Sequence, residues 1–140
     1  VNVLTFNTFT GTYTLGTAGN TITLNGRVVK NAGSGTVSIV SPVTLGPAQT
    51  WTNNTGTLGA TGGSNNDGFD LTFAGAGTTT FTATSNVISG TGGIIKNGSG
   101  TVILGAGTTP VHTFSGTMTI NAGALQVHNF NLGTGNLTIS

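Results

Sequence analysis

The chain has 140 residues and a formal net charge of +1 from three basic and two acidic side chains, and 25 residues are glycine. Charged residues make up 4% of it, against about a quarter in ordinary soluble domains. With no glutamate, no cysteine and Val, Ile, Thr and Phe throughout, the composition excludes a helical fold, a disulfide scaffold and a charge-rich disordered chain.

The five charges, Arg27, Lys30, Asp67, Asp70 and Lys96, are scattered. They form neither the basic stripe that nucleic acid requires nor a polybasic membrane patch. No apolar run approaches the roughly 20 residues that span a bilayer as a helix. The expectation is no nucleic-acid partner and no membrane insertion. The chain opens at Val1 without a methionine, which reads as a removed signal sequence or as the ordered piece of something longer.

Along the chain, short alternating segments recur between Gly and Asn punctuation, the pattern of many short strands. The first is Val1-Asn2-Val3-Leu4-Thr5-Phe6. An apolar–Thr–apolar triplet follows at Ile22-Thr23-Leu24 and returns at Val43, Leu71, Met118 and Leu137. The gaps are 21, 28, 47 and 19 residues, so the spacing implies about 22 residues per coil, within the range of solenoid repeats. Val28-Val29-Lys30-Asn31-Ala32-Gly33-Ser34-Gly35-Thr36-Val37 returns as Ile94-Ile95-Lys96-Asn97-Gly98-Ser99-Gly100-Thr101-Val102 with one residue deleted. Gly75-Ala76-Gly77-Thr78-Thr79 returns at Gly105 through Thr109. The chain ends in a further strand, Asn136-Leu137-Thr138-Ile139-Ser140.

A parallel β-solenoid accounts for this repetition, because each coil stacks its strands on the coils above and below. Its inward positions would be Ile22, Leu24, Val37, Ile39, Leu71, Phe73, Phe81, Val102, Leu104, Phe114, Ile120, Leu125 and Val127, with Thr outward. Corners would fall at Asn25-Gly26, Gly92-Gly93, Asn97-Gly98 and Ala122-Gly123. An antiparallel sandwich also has many short strands, but its strands need not resemble one another. The prediction is one all-β domain over residues 1–140, with about six coils standing about 30 Å tall, and with 53–70 as a Gly/Asn-rich loop region.

The stretch from Val87 to Leu104, with Gly92-Gly93, Ile94-Ile95, Lys96, Gly98-Ser99-Gly100 and Thr101-Val102-Ile103-Leu104, resembles the autotransporter-associated β-strand repeat, or passenger-associated transport repeat. Phe114 and the run from Met118 to Val127 resemble its continuation. Val43 to Trp51 and Gly68 to Phe73 are similar to segments that precede it, so the resemblance covers roughly residues 40 to 128. It implies a right-handed parallel β-helix exported to the bacterial surface, with no catalytic residues. Such proteins carry many repeats and often a translocator barrel, and this chain shows neither.

Candidate chemical residues are few. Asp67 and Asp70 lie three apart without a glutamate to share acid and base roles, and read as a polar loop. Gly62 to Asp70 partly matches a calcium nonapeptide, but a single copy lacks the six to eight oxygens that calcium needs. His112 and His128 are too few for zinc and read as surface or partly packed residues. Trp51, in a Thr-Trp-Thr alternation, reads as core, and Tyr13 is the remaining residue suited to stacking on sugars. Thr-x-Thr pairs begin at 8, 12, 21, 50, 78, 82 and 117. Without a common spacing they argue against the regular Thr face of an ice-binding surface.

The reading that follows is a non-enzymatic structural protein without cofactor, metal or catalytic residues, secreted or on a bacterial cell surface. It forms a stalk or a head-to-tail homopolymer. Self-association is expected through Val1, Val3, Leu4 and Phe6 at one end and Leu137 and Ile139 at the other, with residues 1–10 as an inter-subunit strand. The alternative is an adhesive passenger-type module that binds surface glycans. With so few ionisable groups, stability is expected to vary little between about pH 4 and 9.

Overall fold

In the computed structural model, the described residues are 1–33, 35–82, 87–105, 112–128 and 132–140. Ser34, Thr84 and residues 106–109, which belong to the predicted echoes and Thr pairs, lie outside them. The described residues contain β-strands and no helix. The first coil carries β1 (Leu4–Phe6), β2 (Thr12–Leu15) and β3 (Ile22–Leu24), and the second β4 (Val28–Lys30), β5 (Thr36–Ile39) and β6 (Val43–Leu45). The third carries β7 (Gln49–Asn53), β8 (Thr57–Ala60) and β9 (Ser64–Asn65), and the fourth β10 (Leu71–Ala74), β11 (Thr78–Phe81) and β12 (Ile88–Ser89). Then come β13 (Ile94–Lys96) with β14 (Thr101–Leu104), β15 (Met118–Ile120) with β16 (Ala124–Val127), and β17 (Leu137–Ile139).

Each strand pairs in parallel with its counterpart one coil away. This produces a seven-stranded first sheet from β1 to β17, a six-stranded second sheet from β2 to β16 and a four-stranded third sheet from β3 to β12. Among the described residues, a parallel bridge from His112 to Leu132 extends the third side. The fold is a parallel β-solenoid, and the expected six coils agree with it to within about one turn. The offset between paired residues ranges from 24, Leu4 to Val28, down to 19, Met118 to Leu137. Coils of unequal length stay in register because the strands pair residue for residue while the corners absorb the difference.

The core runs up the stack as columns of inward side chains. One column on the first side is Leu4, Val28, Trp51, Phe73, Lys96, Ile120 and Ile139. At its centre Trp51 is fully buried, stacked on Phe81 with ring centroids 5.7 Å apart and edge-on to Phe73. Its indole N–H donates to Gln49 Oε1 at 3.1 Å, which satisfies the one polar atom of the ring. Of the predicted inward residues, Leu24, Val37, Ile39, Leu71, Phe73, Phe81, Val102, Leu104 and Phe114 are buried. Ile22, Ile120, Leu125 and Val127 are half-buried.

The stretch 53–70 departs from the loop expected there. It contributes β8 and β9 to the second and third sheets, so Thr57, Leu58 and Ser64 are strand residues. Polar composition misled because the pairing here comes from the coils on either side rather than from local propensity.

Candidate functional site

The corner between the first and second sides shows what the repeated residues do. At its centre lie three buried polar side chains, Lys30, Asn53 and Lys96, each ending a first-sheet strand. The Lys30 ammonium donates to the Thr55 carbonyl of the next coil. Asn53 Nδ2 donates to Gly56 O at 3.1 Å and to Thr78 O, one coil on, at 2.8 Å. Lys96 donates to Gly98 O in its own corner and to Ala122 O of the next at 3.1 Å. The Thr55, Gly98 and Ala122 carbonyls take these side-chain donors as partners, and Gly56 O also accepts the Thr78 amide at 2.8 Å. Desolvation holds both ammonium groups below the ordinary lysine range.

Glycines surround these groups for a steric reason. A Cβ on Gly98 or Gly100 would fall on the carbonyl oxygen of Gly75 or Gly77 in the coil below, and one on Gly123 would meet those of Gly98 and Gly100. The Gly100 amide donates to Gly75 O at 3.0 Å and the Ala124 amide to Gly100 O at 3.1 Å. Backbone stacks directly on backbone here, leaving no room for a side chain. Outside the corner, Asn31 Nδ2 donates to Asn7 Oδ1 at 2.9 Å and Asn121 Nδ2 to Asn97 Oδ1 at 2.6 Å. The sequence echo marked these residues without revealing their role as ties between coils.

The two ends are apolar. Leu137 and Ile139 point along core columns yet are 48% and 72% exposed, because no coil covers β17. At the opposite end Val1 and Val3 are 58% and 51% exposed, Leu4 is half-buried and Phe6 is buried. A cavity of about 350 Å³ opens there, lined by Leu4, Phe6, Phe9, Tyr13 and Leu15 among others. Tyr13 is half exposed, edge-on to Phe6 and Phe9.

The remaining candidates are separate. Asp67 is exposed at a positive φ of 53°, with its amide donating to Asn65 Oδ1. Asp70 Oδ1 accepts the Gly93 amide at 2.8 Å, so this carboxylate ties one coil to the next. Among the described residues no three or more His, Cys, Asp or Glu side chains form a group that could hold a metal ion. His128 is exposed, as expected. His112 is more deeply placed than the surface or partly packed position expected of it: it is 1% exposed, in the core column that continues from Ile88.

The Thr residues are also better ordered than their sequence spacing suggests. Thr12, Thr36, Thr57, Thr78 and Thr101 occupy one outward column of the second sheet. The adjacent outward column, Thr14, Ser38, Gly59, Thr80 and Ile103, is mixed. On the third side Thr23, Thr44, Asn65 and Ser89 align, beside a shallow cavity of about 200 Å³.

Stacked coils tied by turn-facing lysines and packed glycines define a β-solenoid repeat protein. Residues 94–127, in the fifth and sixth coils, match the model of the passenger-associated-transport-repeat. The match is narrower than the resemblance over 40 to 128 and holds Lys96, Gly98, Gly100 and Gly123, the residues of the corner. No curated protein and no solved structure matches the chain.

Proposed function

We propose that the chain is a non-enzymatic structural module of a secreted or cell-surface passenger-type protein, its coils building a stalk or a head-to-tail fibre. The observation that carries this reading is the parallel stacking of coil on coil, in which Leu137 and Ile139 lie in line with the core columns. The passenger-associated repeat and the sparsely charged Thr- and Asn-rich faces support placement outside the cell. No helix among the described residues is long and apolar enough to cross a membrane.

The covering rung in this reading belongs to a second copy. The first sheet ends one rung beyond the second. Stacking β2 of one copy on β16 of another therefore brings two first-sheet strands, β1 and β17, to the same level. Leu137-Thr138-Ile139 has the apolar–Thr–apolar form of Leu4-Thr5-Phe6, so β17 suits the place of β1 against β4. Residues 1–10 then become the segment that crosses the joint. Such a contact does not close on itself and propagates. Light scattering and electron microscopy of the purified chain test it. Thin fibres that dissolve in the Leu137→Lys, Ile139→Lys variant are expected, and a monomer at high concentration overturns the fibre.

A second reading, an adhesive face for surface glycans, draws on the aligned Thr23, Thr44, Asn65 and Ser89 and their cavity. Hydroxyl and amide groups in a row offer hydrogen bonds to sugar hydroxyls. Glycan-array binding that is lost in Thr44→Ala, Asn65→Ala would favour it over the fibre. The mixed column beside Thr12 to Thr101 does not favour an ice-binding surface.

A further inference from the structure

The sequence holds two Asn-Gly dipeptides, Asn25-Gly26 and Asn97-Gly98, each directly after a strand where the chain turns a corner. Both glycines are imposed by the stacking of coils. A Cβ on Gly26 would fall on the carbonyl oxygen of Asn2, and one on Gly98 on that of Gly75. Behind each asparagine the fold therefore requires the one residue whose amide no Cβ shields. Such an amide nitrogen can attack the carboxamide of the asparagine before it, and the two corners differ in whether it is free to do so.

At Asn97 both reacting groups are held. The Gly98 amide donates to Phe73 O at 3.1 Å, alongside the Asn97 amide at 2.9 Å. The Asn97 side-chain oxygen accepts from Asn121 Nδ2 at 2.6 Å. At Asn25 neither group is held. Its side chain lies beside Gly46 of the second coil. No described residue forms a hydrogen bond with that side chain or with the Gly26 amide. Both asparagines are exposed, so access to water does not separate them.

We propose that Asn25 is a site of spontaneous self-modification, in which the Gly26 nitrogen attacks the Asn25 side-chain carbon and closes a five-membered imide. The bond from Gly26 N to Cγ forms and the bond from Cγ to Nδ2 breaks. Nδ2 departs as ammonia, carrying the proton that Gly26 gives up. One water then adds across either C–N bond of the imide, which yields aspartate or isoaspartate. Isoaspartate lengthens the main chain by one carbon between two ties to the first coil, Asn25 N to Val1 O at 2.7 Å and Leu4 N to Arg27 O at 3.0 Å. The pairing of β1 with β4 loosens as a result, while the coils beyond are untouched.

Peptide mapping of the full chain, incubated at mildly alkaline pH, tests the site by the mass gain that marks loss of ammonia and uptake of water. In the folded chain Asn25 should convert at least about tenfold faster than Asn97, which must first break its hydrogen bonds. In urea, where neither corner is held, the two should convert at similar rates. Asn25→Gln should remove the signal from that corner, because its six-membered imide closes far more slowly. Equal rates at the two sites in the folded chain would overturn the proposal. So would an Asn25 that stays intact when folded but converts in urea, or a difference between the sites that persists unchanged in urea.

Discussion

Lys30 and Asn53 stand opposite one another on adjacent strands, and each reaches the carbonyl of a residue 25 positions further along, Thr55 for the lysine and Thr78 for the asparagine. Two chemically different side chains thus perform the same task in successive corners. The requirement is a donor long enough to reach the next turn, and the ammonium charge is incidental to it. Lys96 repeats the task toward Ala122, 26 positions away.

Removing a donor should therefore cost more than removing a charge. Lys96→Met removes the side-chain donor to Gly98 O and Ala122 O, and Asn53→Leu removes the one to Thr78 O and one of the two donors to Gly56 O. Each is expected to lower stability by about 0.5–1.5 kcal/mol per hydrogen bond lost. Urea unfolding gives the measurement, and Asn53→Gln should lose less than Asn53→Leu.

The buried ammonium groups set an alkaline pH dependence of unusual sign. Burial lowers the folded pKa of Lys30 and Lys96 from the 10.5 of the unfolded chain. Well below the folded value both states are protonated and the desolvation cost is paid in full. As pH rises from there toward 10.5, the folded state releases its protons first. Stability should therefore rise over that window, read as an increase in melting temperature as pH approaches 10.5 from below. The Lys30→Met, Lys96→Met double variant should show no such rise.

Trp51 is the one tryptophan and lies against Phe73 and Phe81 in the middle of the stack. Trp51→Ala should cost about 3–5 kcal/mol through lost contacts and the cavity left behind. In the native chain its fluorescence should be blue-shifted and shielded from iodide, and both properties should vanish in the same step as β circular dichroism on unfolding.

The corner glycines should tolerate no side chain. Gly98→Ala and Gly100→Ala each place a methyl group on a backbone carbonyl of the coil below, and are expected to cost at least about 1–3 kcal/mol, the range for overpacking. Gly19→Ala is the control, since no atom lies within 4 Å of its would-be Cβ. Thermal unfolding of the three variants makes the comparison.

Much of this architecture was legible in the residues alone. The echo of Val28-Val29-Lys30 in Ile94-Ile95-Lys96 announced stacked coils, because each rung presents the same environment to the chain and selects similar residues. Alternation identified Phe73, Phe81 and Leu104 as inward, and Thr-Trp-Thr placed Trp51 in the core. These are local properties, set by the two-residue period of a strand.

Register decided the rest, and register is a relation between distant residues. The two echoed lysines are not equivalent: Lys96 stands in the column of Trp51 and Phe73, whereas Lys30 stands in the neighbouring column with Phe6 and Asn53. Thr12, Thr36, Thr57, Thr78 and Thr101 form a column although their sequence spacing is uneven, because the corners take up the differences in coil length. His112 read as a surface or partly packed residue and is fully buried, since the column it joins is defined by Ile88 and Leu132 rather than by its own neighbours. A sequence specifies which residues suit a rung through short-range alternation; only the pairing of whole coils determines what each one meets above and below.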